Sequence, residues 1–245
     1  MALPWDSHHF EIPIARIISP ELNDIELGDI LAYAKEKGYH LIYWATCPQR
    51  IVPLTLLRSF SGSLVDGKVT YQQKLSSEFA FGPIKNLNST FQVIEYPQLP
   101  ANQQLLALAL LGGGHSRFHL DPWISREKFV SMYHIWINRS TLHEIADVVF
   151  VVTDSSNLHK YLGVVTGSAK NGIGKVGLMG VQKEVQGQGI GSILIKTMRK
   201  WMVSNGLNIS EVVTQRDNVP ACKFYERSGY QLTSLQHYYH FWVQL

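Results

Sequence analysis

Apolar residues change their spacing along this chain, and the changes mark its elements. Residues 147–153 (DVVFVVT), 161–169 (YLGVVTGSA) and 175–181 (KVGLMGV) are β-branched apolar runs separated by Asn, Ser and Gly. They read as three consecutive strands. The period then switches: Ile190, Ile193, Leu194, Thr197, Met198, Trp201 and Met202 recur at helical spacing. This predicts an amphipathic helix with one apolar face, stopped by Asn205-Gly206. Residues 209–214 read as a strand. Residues 219–227 read as a short helix with Pro220 in its first turn, where a missing N–H costs nothing. Residues 230–235 and 237–243 are expected to pair as a terminal hairpin.

Upstream, 91–96 reads as a strand and 102–111 as a helix ended by Gly112-Gly113-Gly114. Ser125 is expected to cap a helix through Asn138. Its residues Phe129, Met132, Tyr133, Trp136 and Ile137 share one face, and Trp136 is expected in the core. The order from residue 91 is therefore β, α, α, β, β, β, α, β, α, β, β. The first 85 residues echo the end of that order. Residues 12–18 are strand-like, 22–37 helical, 41–45 strand-like and 52–60 a short helix. A hairpin over 63–75 would turn at Asp66-Gly67. Val52-Pro53 and Ser61-Gly62 align with Val219-Pro220 and Ser228-Gly229 at one offset of 167. An internal duplication would produce that match. The expected boundary is Gly82 to Asn88. It separates a small α/β N-terminal domain, residues 1–85, from a second domain, residues 86–245.

Composition narrows the class of function. An apolar fraction of 45% against 17% charged allows a sizeable core. The longest clean apolar run, 105–111, falls far short of the ~20 residues that span a bilayer. The first residues have neither the basic nor the apolar region of a signal peptide. Two cysteines, Cys47 and Cys222, cannot form a disulfide framework, so a reducing, cytoplasmic setting is expected. The net charge of +3 suits a small anionic ligand better than a nucleic acid. His237 and His240 would lie on opposite faces of a strand. No other cluster has ligand spacing, so no metal site is expected.

The stretch that carries chemistry is 181–191, VQKEVQGQGIG, between a strand and the amphipathic helix. Gly187, Gly189 and Gly191 let the backbone curl, so several N–H groups can converge on one cavity. The helix beginning near Ile190 adds its positive end, and together they form a pyrophosphate site. No Gly-Lys-Ser/Thr follows, which excludes a Walker A loop. The GxGxG spacing and the antiparallel run before it match a dinucleotide fingerprint poorly.

Gln186-x-x-Gly189-x-Gly191 after a strand resembles the acetyl-CoA loop of the GNAT N-acetyltransferases. A second block agrees: Asn218-x-x-Ala221-x-x-x-Tyr225-x-x-x-Gly229-Tyr230 resembles the later motif of that family. The resemblance covers roughly 90–245. It implies an α/β (α+β) GNAT fold, a central, mostly antiparallel sheet with splayed strands flanked by helices. The N-terminal domain would then be a degenerate half-copy. The resemblance also implies acetyl-CoA as co-substrate, with no metal. Its binding residues would be Met179, Gly180, Val181, Gln186, Gly187, Gln188, Gly189, Ile190, Gly191, Asn218, Ala221 and Tyr225. Tyr225 would protonate the leaving thiolate, and Asn218 would hold the CoA arm or an ordered water.

Trp5-Asp6-Ser7-x-x-Phe10 and Ser116-Arg117-Phe118-x-x-Asp121-Pro122 resemble one branch of that family. This branch is the bacterial dTDP-4-amino-4,6-dideoxygalactose N-acetyltransferases. It implies a nucleotide-linked amino sugar as acceptor, a role in surface polysaccharide synthesis, and a homodimer. Arg117, Tyr133, Tyr239 and His240 are the candidate acceptor-binding residues, and a structural salt bridge is the other reading of Arg117. Asp147, Asp154, His240 or a water chain could take the proton of the amine. In the N-terminal copy, offset 167 puts SPELND (19–24) where the glycine loop should be and Arg58 where Tyr225 stands. That copy is therefore not expected to bind CoA.

Overall fold

The computed structural model describes residues 1–81, 90–97 and 99–244. Its first six elements are α1 (Pro4–Phe10), β1 (Ile14–Ile17), α2 (Asp24–Glu36), β2 (Leu41–Thr46), α3 (Leu54–Ser59) and β3 (Gly62–Lys74). Then come α4 (Glu78–Phe81), β4 (Phe91–Glu95), α5 (Gln103–Gly112), α6 (Arg117–Leu120) and α7 (Arg126–Thr141). The last are β5 (Val148–Asp154), β6 (Asn157–Lys170), β7 (Ile173–Val181), α8 (Ile190–Ser204), β8 (Ile209–Gln215), α9 (Val219–Arg227) and β9 (Gln231–Trp242).

All the strands join one sheet in the order β1-β2-β9-β3-β8-β7-β6-β5-β4. It is mostly antiparallel; β1 with β2 and β7 with β8 are parallel. Side chains alternate between its faces. On β5, Val148 and Val152 pack with the apolar stripe of α8 (Ile190, Ile193, Leu194, Met198, Met202). Val149 and Val151 pack the other way, with Leu105, Leu108, Phe129 and Ile137 of α5 and α7. A third cluster joins Leu27 and Leu31 of α2 to Trp44 and Phe241. The expected sheet flanked by helices is therefore present.

Two expected hairpins are single strands. Asp66-Gly67 does not turn, because β3 is hydrogen-bonded along both sides, to β8 and to β9. The misfit is absorbed as a register shift between Leu64 and Asp66. Likewise β9 runs unbroken from Gln231 to Trp242, held by β2 at its far end and by β3 along its length. Long pairing on two sides outweighs a local turn preference. Helix α1 falls where no element was expected. Trp136 is not core: it is 39% exposed, at the edge of the α7 stripe. The expected boundary over 82–88 lies among residues the structure does not describe.

The echo at offset 167 extends to the strand registers. Exchanging β1 with β7, β2 with β8 and β3 with β9 leaves the order of these six strands unchanged. In an antiparallel pair the two paired numbers have a constant sum. That sum is 283 for Leu41 with Trp242 and 283 for Lys74 with Ile209. A two-fold relation with offset 167 requires this equality. The last strand of each half thus lies in the other half's part of the sheet. The parallel pairs differ. Ile14 faces Leu41, a separation of 27, whereas Ile173 faces Ile209, a separation of 36. At the offset of 167 the second half is thus paired nine residues farther back along its first strand, which leaves residues 177–181 beyond the pairing with β8.

Helix α5 crosses β7 at van der Waals distance. A Cβ added to Gly180 would lie 2.0 Å from the Leu108 carbonyl oxygen, and one added to Gly112 would lie 2.5 Å from that of Met179. Both obstacles are backbone and cannot rotate away. Gly180→Ala is expected to cost about 3 kcal/mol of stability, at the upper end of overpacking. Gly172→Ala, which faces open space at φ +75°, should cost only about 1 kcal/mol. Urea unfolding of the two variants checks the order.

Candidate active site

β7 and β8 are paired over Ile173–Val176 and Ile209–Val212, and there the pairing stops. Residues 177–181 continue along β6 on one side, through Met179 opposite Val165 and Val181 opposite Gly163. On the other side they part from β8. Met179, Gly180 and Val181 lie on that parted edge, where backbone groups are open to a ligand.

The chain leaves β7 through a short 3-10 turn, Lys183–Val185, and enters α8 at Gly189. Gly187 has φ +79° and Gly189 φ +88°, values that L side chains rarely adopt. No side chain caps α8. Its first-turn N–H groups, from Ile190 onward, have no intrahelical acceptor and point out of the helix. The Gln186 amide braces the loop by donating to the Val181 carbonyl at 3.1 Å, and Gln188 reaches the Glu184 carbonyl at 3.5 Å. These glutamines shape the cradle, and the backbone lines it. The residues present fit a pyrophosphate.

Tyr225 stands on α9 beside the parting. Its hydroxyl donates to the Met179 sulfur at 3.7 Å. Burial pushes this phenol's pKa well above its ordinary value, so it is protonated throughout the neutral range. Gly191 lets α8 close on the pair: a Cβ there would lie 3.4 Å from both Met179 and the Phe224 ring. Asn218 is the N-cap of α9, and its side-chain oxygen accepts from the Ala221 N–H at 3.2 Å. That occupies the oxygen of Asn218 and the N–H of Ala221, so both position α9 and hence Tyr225.

The N-terminal half closes the equivalent place. Asn23 and Glu26 form a reciprocal capping box that takes up the first N–H groups of α2. Arg50 donates to the Leu22 carbonyl at 2.9 Å and pairs with Asp24. A cavity of about 500 Å³ remains beside them, lined by residues such as Glu21, Thr46 and Cys47, but it has no glycine cradle.

The four acceptor candidates separate. Tyr239 packs against Trp44 and Phe241 inside the N-terminal core, 4% exposed, and is removed from the acceptor set. Tyr133 is buried against Gly113, Phe129 and Trp136. Arg117 makes no ion pair among the described residues. Its guanidinium lies over the rings of Tyr43, Phe118 and Tyr238, at 5.3, 4.4 and 4.9 Å. His240 is fully buried, its Nδ1 2.6 Å from Asp121 Oδ2. Burial holds the His240 pKa down, against the pull of Asp121. Asp147 and Asp154 face elsewhere: Asp147 accepts from the Ala169 N–H, and Asp154 from Ser156.

Asp66 is not among the residues that the sequence points to. It lies beside Arg117, one oxygen buried and without a hydrogen-bond partner. Its local Asp-Gly signal pointed to a turn, so nothing in the sequence marked it as buried. No group of metal ligands occurs among the described residues, and none of their helices is long and apolar enough to cross a membrane.

Residues 114–230 match the model of the acetyltransferase (GNAT) family. No curated protein sequence matches the chain. Solved structures share its fold at low identity. A functionally unknown conserved protein from Staphylococcus epidermidis is 12% identical with TM-score 0.63, over 95% of this chain and 84% of that one. A GCN5-related N-acetyltransferase from Sphaerobacter thermophilus is 13% identical with TM-score 0.59, over 88% and 65%. A tandem GNAT protein from the clavulanic acid biosynthesis pathway is 9% identical with TM-score 0.58, over 88% and 68%.

Gly189→Asp adds bulk and negative charge to the cradle at a positive-φ position, and it is expected to abolish acetyl-CoA binding measured by calorimetry. Retained affinity would refute the loop assignment. Asn218→Ala should cost about 1 kcal/mol of stability through the lost cap. Thermal unfolding measures it.

Proposed function

We propose that this chain, whose residues 114–230 match the model of the acetyltransferase (GNAT) family, transfers an acetyl group from acetyl-CoA to the amino group of a nucleotide-linked amino-deoxy sugar of the dTDP-4-amino-4,6-dideoxyhexose type. One observation carries the mechanism: the Tyr225 hydroxyl sits on Met179 at the point where β7 and β8 part. The pyrophosphate of acetyl-CoA rests on the N–H groups of the Gly187 to Gly191 loop. The pantetheine pairs with the free edge of Met179 to Val181, and a backbone N–H of that edge stabilises the oxyanion. The neutral amine attacks the thioester carbon directly. A C–N bond forms, the C–S bond breaks, and the sulfur leaves with the electron pair. Tyr225, kept protonated by burial, supplies the thiolate's proton.

A second cavity, of about 420 Å³, opens beyond the end of β8, with Asp66, Arg216, Asp217 and His237 in its lining. This mixture of carboxylates and cations suits a ligand that bears both an amine and phosphates. A polyamine would gain nothing from Arg216.

A thiol-release assay with acetyl-CoA and a panel of dTDP- and UDP-amino sugars, polyamines and peptides tests the reading. Turnover is expected with an amino-sugar nucleotide; turnover with a polyamine alone would sink it. Tyr225→Phe should lower kcat at least ~10²-fold with acetyl-CoA affinity unchanged. Wild-type rates in that variant would remove Tyr225 as the acid.

A further inference from the structure

Among the described residues, five buried side chains carry a polar atom with no hydrogen-bond partner, and four of them lie together: Tyr43, Asp66, Arg117 and His240. Buried polar groups are almost always satisfied, so such a concentration calls for a ligand or solvent. The strand register explains the grouping. Asp66 is paired with Tyr238, and Tyr43 and Ser63 are paired with His240. Tyr238 and His240 are two apart on β9 and share a face. Tyr43, Asp66 and His240 therefore project toward α6, where Arg117 covers Tyr43 and Tyr238.

Of the four, Asp66 lines the 420 Å³ cavity. It sits at the bulge of β3, and bulges re-aim side chains beside active sites. Lys68 pairs with Gln215, the last residue of β8, and the Arg216 N–H donates to the Gly67 carbonyl at 2.7 Å. Asp66 thus lies just past the end of β8 from which β7 has parted. The segment closing the cavity also abuts the thioester edge: Gly112 lies against the Met179 carbonyl, and Arg117 follows five residues later.

We propose that Asp66 is the carboxylate that holds the acceptor's ammonium group and takes its proton. This rests on the acetyl-transfer reading above and deepens it. Two steps balance the protons. The ammonium gives one proton to Asp66, which passes it to solvent at the cavity mouth, and the freed pair forms the C–N bond. The nitrogen loses its second proton to solvent as the C–S bond breaks, and the thiolate takes one from Tyr225, which is reprotonated by solvent. The groups facing Asp66 are Arg117 of α6, Lys68 of β3, Asp217 after β8 and Tyr133 of α7. Arg216 and His237 share its cavity. Burial is the main influence on it and moves its pKa up to about 6, against Arg117 and Lys68. It is therefore ionised at neutral pH and loses its function below.

The test is the pH dependence of kcat/KM for Asp66→Asn, with whichever amine of the panel is acetylated, beside calorimetric acetyl-CoA binding. The variant is expected to keep its affinity for acetyl-CoA, to lose at least ~10²-fold in kcat/KM at neutral pH, and to lose the acidic limb centred near 6. His237→Gln should keep that limb. An Asp66→Asn enzyme with wild-type rate overturns the inference, as does a slow variant with the limb intact, or a limb that vanishes with His237 instead. A wild-type protein that acetylates no amine overturns the proposed function, and this inference with it. Turnover in the wild type with an indifferent Asp66→Asn overturns this inference alone.

Discussion

Hydrogen bonding between β7 and β8 ends at Val176 and Val212. Past that point the strand edge has donors and acceptors without a protein partner, an arrangement proteins rarely leave in their interior. Everything near the site serves to hold the gap open. α5 lies so close to β7 that glycine is required at 112 and 180, which fixes one side of the gap. α8 and α9 meet Met179 on the other face, through Gly191 and Tyr225. An amide-bearing ligand arm that completes the edge gains the bonds the sheet withholds.

The two halves of the chain show what the gap requires. Strand registers related by the offset of 167 describe one arrangement built twice, with final strands exchanged. In the first half β1 is paired with β2 along its whole length. It has no parted edge and no glycine loop. A capping box and Arg50 take up the groups that would otherwise meet a phosphate. Through the exchange, β3 lies against β8 and carries Asp66 just past its end, while β9 and β2 bring His240 and Tyr43 close by.

What could be read from the chain was local. The period of 190–202, the glycines of 187–191 and the Asn218-to-Tyr230 spacing each sit within one element or one turn. Their physical meaning needs no distant partner: positive φ, an uncapped helix end, a capped short helix. So the cradle, the Tyr225 helix and the run of three strands emerge from residue order alone. The parting of β7 from β8 is implied only by the resemblance, because no residue spacing encodes an unpaired edge.

The rest depended on which strands meet. Asp66-Gly67 has a strong local preference for turning, and residues 230–235 and 237–243 are expected to pair as a hairpin. Pairing on both sides of β3 and along most of β9 overrode both preferences, because a ladder of bonds on each flank outweighs one turn. The same pairing buried a carboxylate beside Arg117 and sent Tyr239 into the core, away from the cleft. The sequence by itself determined the glycine loop that leads into α8 and the short capped helix that carries Tyr225. Only the tertiary structure decided the cluster of Tyr43, Asp66, Arg117 and His240, because these residues come from β2, β3, α6 and β9, and nothing but the exchanged sheet brings those together.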